Sequence, residues 1–175
     1  MIFKKSKLEG VFFIELEKIE DERGFFGRTF DKKEFDKNEL ETEFVQHSIS
    51  FNKKIGTVRG LHYQLHPHVE VKLVNCNKGK MFDVVVDLRE NSKTYLQWDS
   101  IEISSNNNLS AYIPKGVAHG FQTLEEETIV NYQMSEYFEP GSYTGARWND
   151  KAFNITWPLK VTSISDKDSS YPDFK

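Results

Sequence analysis

Lys80-Met81-Phe82-Asp83-Val84-Val85-Val86-Asp87-Leu88 is the stretch that decides the fold class. Val84 and Val86 fall on one face of an extended chain and Val85 and Asp87 on the other. So short a run of β-branched residues reads as a strand, with burial on both sides open to it. Outward from it, residues 44–51, 57–65, 71–76, 95–103, 109–113 and 128–134 read as strands too. The turns between them carry Gly79, Asn91-Ser92 and Asn106-Asn107-Asn108. Nearer the N-terminus, residues 11–16 and 25–30 read as strands on either side of the turn-like Asp21-Glu22-Arg23-Gly24. Asp31 is placed to cap a short helix over 32–40, with Phe35 and Leu40 on its buried face. From Asn149 onward strand cues fade, and loops and short helical turns are expected to pack on the barrel. Many short strands at this spacing predict a mainly β fold, a sandwich or jelly-roll barrel.

The 175 residues fit one domain spanning 1–175, long enough to bury most of its apolar surface. With 14 Phe and 7 Tyr, the chain has too many aromatics for a disordered segment. A net charge of −4 supplies no global basic field, which argues against nucleic acid or a membrane surface as partner. An anionic small ligand has to be met by a local basic site instead. The single cysteine, Cys76, excludes an internal disulfide framework and reads as a buried, inert thiol. The N-terminus lacks the apolar core of a signal peptide and no apolar run reaches membrane-spanning length, so a cytoplasmic location is expected.

Chemistry concentrates in two stretches. The first is Gly56-Thr57-Val58-Arg59-Gly60-Leu61-His62-Tyr63-Gln64, followed by His66, His68 and Lys72. The second is Ile113-Pro114-Lys115-Gly116-Val117-Ala118-His119-Gly120-Phe121, with the Pro-x-Gly-x-x-His spacing of a cupin motif. Together they hold four of the five histidines. A metal cupin adds His-x-His and then a carboxylate, so that imidazoles and an oxygen ligand converge on the ion. His66-Pro67-His68 supplies the first part, but Lys72 stands where the carboxylate is expected, and its ammonium repels a cation. The orientation of nearby Glu70 stays open. A lysine at a barrel mouth can instead stabilise a developing oxyanion, the electrophilic task a metal performs elsewhere.

Six segments in order carry a family resemblance: Asp21-Glu22-Arg23-Gly24-Phe25-Phe26, Arg59 to Gln64, Lys72-Leu73-Val74, Phe82 to Arg89, Ala118-His119-Gly120-Phe121 and Ser165-Asp166-Lys167-Asp168. Over residues 10–172 the chain resembles the dTDP-4-dehydrorhamnose 3,5-epimerases. The resemblance implies a cupin-type β-barrel, a homodimer with strand exchange, no metal and no organic cofactor. His62 is then the base beside the ketone, with Asp168 paired to it. Tyr132 returns the proton to the opposite face, and Lys72 holds the C4 oxygen as it becomes an enolate. Arg23, Arg59 and Lys167 are implied to meet a diphosphate. Gln46, His119, Tyr137 and Phe26 match sugar- or nucleotide-contacting positions, with Tyr137 able to stack on a base. Asp83 reads equally as structural.

The resemblance breaks at three places. Arg28, Ser48 and Tyr143 stand where the family often has glutamate, asparagine and glutamate. These positions lie around the expected nucleotide and sugar pockets, so a GDP-linked 4-keto sugar, including a heptose, stands beside a dTDP-linked one. Other readings are a sugar-nucleotide ketoisomerase using the same enolate, and a non-catalytic or metal-binding cupin.

Overall fold

The computed structural model describes residues 1–174. Its strands run in chain order as β1 (Ile2–Lys5), β2 (Phe12–Glu15), β3 (Ile19–Asp21) and β4 (Gly24–Phe26), followed by the helix α1 (Lys32–Lys37). Then come β5 (Gln46–Asn52), β6 (Val58–Gln64), β7 (Lys72–Lys78) and β8 (Lys80–Asp87). The series closes with β9 (Trp98–Ser104), β10 (Leu109–Ile113), β11 (Val117–Thr123), β12 (Thr128–Met134), β13 (Tyr143–Gly145) and the short helix α2 (Asp166–Ser169).

Two antiparallel sheets form a cupin-like barrel. One has the order β1-β2-β10-β7-β12-β5, the other β13-β6-β11-β8-β9, and β3 and β4 make a separate hairpin. Alternation along the strands decides what lies between the sheets. Val74 and Cys76 of β7 and Val130 of β12 meet Met81 and Val85 of β8, Ile103 of β9, and Val117 and Phe121 of β11 in one buried cluster.

Much of each outer face is covered as well, the edge strand β5 excepted. Val84 and Val86 of β8, Leu61 and Ala118 pack under Phe153, Ile155 and Trp157 of the C-terminal segment. That second layer is why β8 is apolar on both faces. On the other sheet Ile14, Leu73 and Tyr112 lie under Phe35 of α1, with Phe3, Phe30 and Phe44 around it. Asp31 caps α1 by accepting from the Lys33 and Glu34 N–H groups.

Several expected boundaries shift. The strand expected over 25–30 ends at Phe26, because Gly27 abuts Leu16, where a Cβ would come within 2.7 Å of Leu16 Cγ. The helix expected over 32–40 ends at Lys37, and Glu39 takes a left-handed φ of 59° that closes it. The strand expected over 95–103 starts only at Trp98. β1, β3, β11 and β13 add to the expected set, and β11, with every residue buried, sits mid-sheet.

Candidate functional site

One open end of the barrel is a cavity to which both sheets contribute side chains. Gln46 and Ser50 of β5, Lys72 of β7 and Tyr132 and Met134 of β12 come from the six-stranded sheet. Arg59 and His62 of β6, His119 and Phe121 of β11 and Tyr143 of β13 come from the five-stranded one. The same parity that buries Val74 and Cys76 turns Lys72 inward, and Val130 does this for Tyr132.

The position of His62 rests on a local irregularity. β6 pairs with β11 so that His62 lies opposite His119, and the register then shifts between His119 and Phe121. There the backbones touch: a Cβ on Gly60 would lie 2.5 Å from Gly120 Cα, and Gly60 holds a φ of +120°. Only glycine accepts both conditions.

Helix α2 brings Asp168 from 106 residues away in sequence to His62 Nε2, at 2.8 Å. Ser165 caps that helix by accepting from the Asp168 N–H at 3.0 Å, and the second Asp168 oxygen accepts from the Gly60 N–H at 3.1 Å. Burial pushes the His62 imidazole below its ordinary range, Lys72 and His119 push the same way, and Asp168 opposes them only in part. Burial works against the Asp168 carboxylate, but His62, the Gly60 N–H and Ser165 more than offset it and hold the carboxyl low. At neutral pH the pair is therefore a neutral imidazole on a carboxylate.

His119 is buried against Asp83, Nε2 to Oδ2 at 2.7 Å, while the other Asp83 oxygen is buried with no partner among the described residues. Asp83 thus fixes His119. Across the cavity the Tyr132 hydroxyl meets Ser50 Oγ at 3.0 Å, and burial pushes its phenol up to about 12. Lys72 Nζ is held at two points, 3.0 Å from Glu70 Oε1 and 3.3 Å from the His62 carbonyl. An ammonium has three donors, so one remains for the cavity.

Glu70 therefore points inward but serves Lys72. His66 and His68 do not line the cavity, and no three His, Cys, Asp or Glu side chains among the described residues are arranged to hold a metal. Ser50, Met134 and Phe138 join the cavity without having been singled out in the sequence, and Phe121 joins it from the second of the two motif stretches. The signal for Ser50 was its parity with Gln46 on β5.

An outer cleft adjoins the cavity and shares Arg59, His62 and Tyr143 with it. It adds Thr57, Ser163, Ser165, Lys167 and Asp168. Arg59 donates through Nε to Asn52 at 2.7 Å, and Lys167 Nζ lies 4.3 Å from the Tyr143 ring centroid. Among the described residues neither cation is in an ion pair. Gln46 accepts from the Phe138 N–H at 2.7 Å, tying the segment after β12 to β5.

Three expected site residues lie outside both the cavity and the outer cleft of their own chain. Tyr137 is 61% exposed, next to Phe138. Arg23 and Phe26 sit on the β3–β4 hairpin, where Arg23 pairs with its neighbour Asp21 and Phe26 is 62% exposed. The hairpin pairs with neither sheet.

A cupin-like barrel that turns a histidine–carboxylate pair, a lysine and a tyrosine into one cavity is the framework of a proton-transferring enzyme. Residues 5–175 match the family described as dTDP-4-dehydrorhamnose 3,5-epimerase. The enzyme of that name from Sinorhizobium fredii is 41% identical over 173 residues, 98% of this chain and 89% of that protein. The crystal structure of dTDP-4-dehydrorhamnose 3,5-epimerase from Elizabethkingia anophelis aligns with a TM-score of 0.96 at 37% identity, covering 99% of this chain and 96% of that one. The Bacillus anthracis enzyme, solved with TDP and PPi bound, aligns at 0.95 with 36% identity over 99% of both chains. The chain belongs to the dTDP-4-dehydrorhamnose 3,5-epimerase family. It is an isomerase, an epimerase of nucleotide sugars.

Proposed function

We propose that the chain inverts C3, C5 or both in a nucleoside-diphosphate-linked 4-keto sugar, in surface-polysaccharide biosynthesis. One observation carries this reading. His62 and Tyr132 approach the same cavity from opposite sheets, with Lys72 in the wall beside them. A base and an acid on opposite walls address opposite faces of a sugar ring lying between them, which is what inversion requires.

The steps follow from the residues. With Nε2–H donating a hydrogen bond to the Asp168 carboxylate, the Nδ1 lone pair of His62 takes a proton from the carbon next to the C4 ketone. Asp168 then supports the imidazolium. The electron pair moves onto the C4 oxygen, where the free donor of Lys72 meets the enolate. Such preorganised donors contribute about 3 kcal/mol in comparable sites. Tyr132, protonated across the neutral range, returns a proton from the other face, and Ser50 orients its hydroxyl. Both C3 and C5 flank the same ketone, so one residue set serves either carbon. Tyr132 in the cavity wall favours inversion over migration of the carbonyl.

Arg59 and Lys167 in the outer cleft, in no ion pair among the described residues, suit a diphosphate. Gln46 and His119 suit the sugar. Arg23, Phe26 and Tyr137 suit the nucleotide, the first two as contributions to a second copy's site in a homodimer. Support for that dimer is apolar exposure in two places: Ile19, Phe25 and Phe26 on the hairpin, and Ile49 and Phe51 on the edge strand β5.

Proton NMR in deuterated water, with dTDP- and GDP-linked 4-keto sugars given separately, tests the reaction. Deuterium at C3 or C5 with inversion is expected on one of them, and its position names the carbon. Tyr132→Phe should keep exchange and lose inversion. Folded protein that exchanges neither substrate refutes the assignment.

A further inference from the structure

Tyr143 stands at the joint between the inner cavity and the outer cleft and lines both. Its place is fixed by the backbone. β13 pairs with β6, Tyr143 opposite Gln64 and Gly145 opposite His62. A Cβ on Gly145 would meet the Tyr171 ring at 2.4 Å and the Leu61 carbonyl at 2.5 Å, so β13 lies hard against β6. The Tyr143 N–H adds a bond to the Glu139 carbonyl at 2.9 Å.

Three groups surround the ring. His62 lies 5.3 Å away between centroids, Phe138 packs edge-on at 5.1 Å, and Lys167 Nζ sits 4.3 Å from its centre. The hydroxyl bonds to no group among the described residues. Burial keeps this phenol protonated far into the alkaline range, so it is a standing donor. A carboxylate at this position would neutralise Lys167. An aromatic face holds the ammonium by its quadrupole and leaves its charge for an anion.

A nucleotide sugar threaded through the two spaces puts its ring in the inner cavity and its diphosphate in the outer cleft. The group at the joint is then the phosphate that carries the sugar. We propose that Tyr143 is a specificity-determining residue that reads this sugar–phosphate linkage, its hydroxyl donating to the glycosyl phosphate while its ring presents Lys167 to the same phosphate. The inference rests on the epimerase reading above, and the wild-type enzyme separates the two. If the wild type turns over neither nucleotide sugar, the epimerase reading fails before any variant is compared.

The test is Tyr143→Phe, which keeps the ring and the Lys167 contact, beside Tyr143→Leu, which removes both. Calorimetry measures binding of the nucleoside diphosphate that the wild type prefers, dTDP or GDP, and of its monophosphate. Loss of a hydrogen bond to a charged group corresponds to about a ten- to hundredfold weakening. Tyr143→Phe is expected to weaken the diphosphate by about tenfold or more and to leave the monophosphate, which lacks the linked phosphate, unmoved. Tyr143→Leu should weaken the diphosphate further. In turnover the loss falls on KM rather than kcat. Unchanged diphosphate binding, equal loss on both nucleotides, or a loss confined to kcat in the Phe variant overturns the proposal. Far-UV dichroism and the thermal midpoint of each variant separate lost contact from lost fold.

Discussion

His62 performs two tasks that burial and charge set against each other. Burial favours the neutral imidazole that can accept a proton, and Asp168 favours the imidazolium that forms when it does. Because the folded value lies below the ordinary 6.5, the base is available at neutral pH, and activity should fall only as pH drops below about 6.5. Asp168 raises the imidazole, so Asp168→Asn should move the acid limb of kcat/KM to lower pH while lowering kcat by about 10² to 10⁴. A pH–rate profile of the two proteins checks both, and a limb that moves upward would contradict the assignment. Tyr132 adds no alkaline limb below about pH 11, its phenol lying near 12. His62→Ala should lose turnover and keep the far-UV dichroism of the wild type, since its ring is at the cavity wall rather than in the apolar clusters. Its thermal midpoint should fall, because the buried Asp168 carboxylate loses its partner.

At the scale of elements, the crossing of β6 and β11 holds the site together. Gly60 and Gly120 let the two backbones meet where the register shifts, and this sets His62 opposite His119. Gly60→Ala adds a Cβ 2.5 Å from Gly120 Cα at a φ of +120°, a double conflict that should cost about 2 kcal/mol or more. In a chain of this length that lowers the thermal midpoint by about 4 to 8 °C. Calorimetry measures it, and an unchanged midpoint would mean the strands have room to separate. Gly116 and Gly120, with Pro114 before them, hid β11 in the sequence, where the stretch stands out as a histidine motif. Burial on both faces makes it a central strand. β13 escaped notice because three residues give no periodicity, yet it carries Tyr143.

At the scale of the whole molecule, the β3–β4 hairpin and the outward face of β5 are apolar surface without a cover in one chain. If a second copy covers them and supplies Arg23 and Phe26 to the neighbouring cavity, two inactive proteins should repair each other. Arg23→Ala and His62→Ala subunits, unfolded together and refolded, form mixed dimers in which one site carries both defects and the other none. About a quarter of wild-type activity should return. Activity that stays at the level of the separate variants would place Arg23 in its own chain's site or outside catalysis. Sedimentation of Ile49→Lys beside the wild type checks the assembly itself, the variant being expected to shift toward monomer.

The sequence by itself determined the class of fold and the chemistry available to it. Period-two apolar runs over 44–134, turn residues between them, Asp31 before α1 and the ordered His, Lys, Tyr and Asp motifs are local facts, and local sterics and side-chain chemistry are enough to read them. The tertiary structure alone decided which of those groups meet. His62 and Asp168 stand 106 residues apart and are joined by α2 and its Ser165 cap. Glu70 turned out to pair with Lys72, and Asp83 with His119. Arg23 and Phe26 lie outside the cavity of their own chain, and Tyr143 lies at its joint. Pairings of this kind depend on strand order, register and a bulge. Those are settled by how whole faces bury against each other, which no short stretch of sequence encodes.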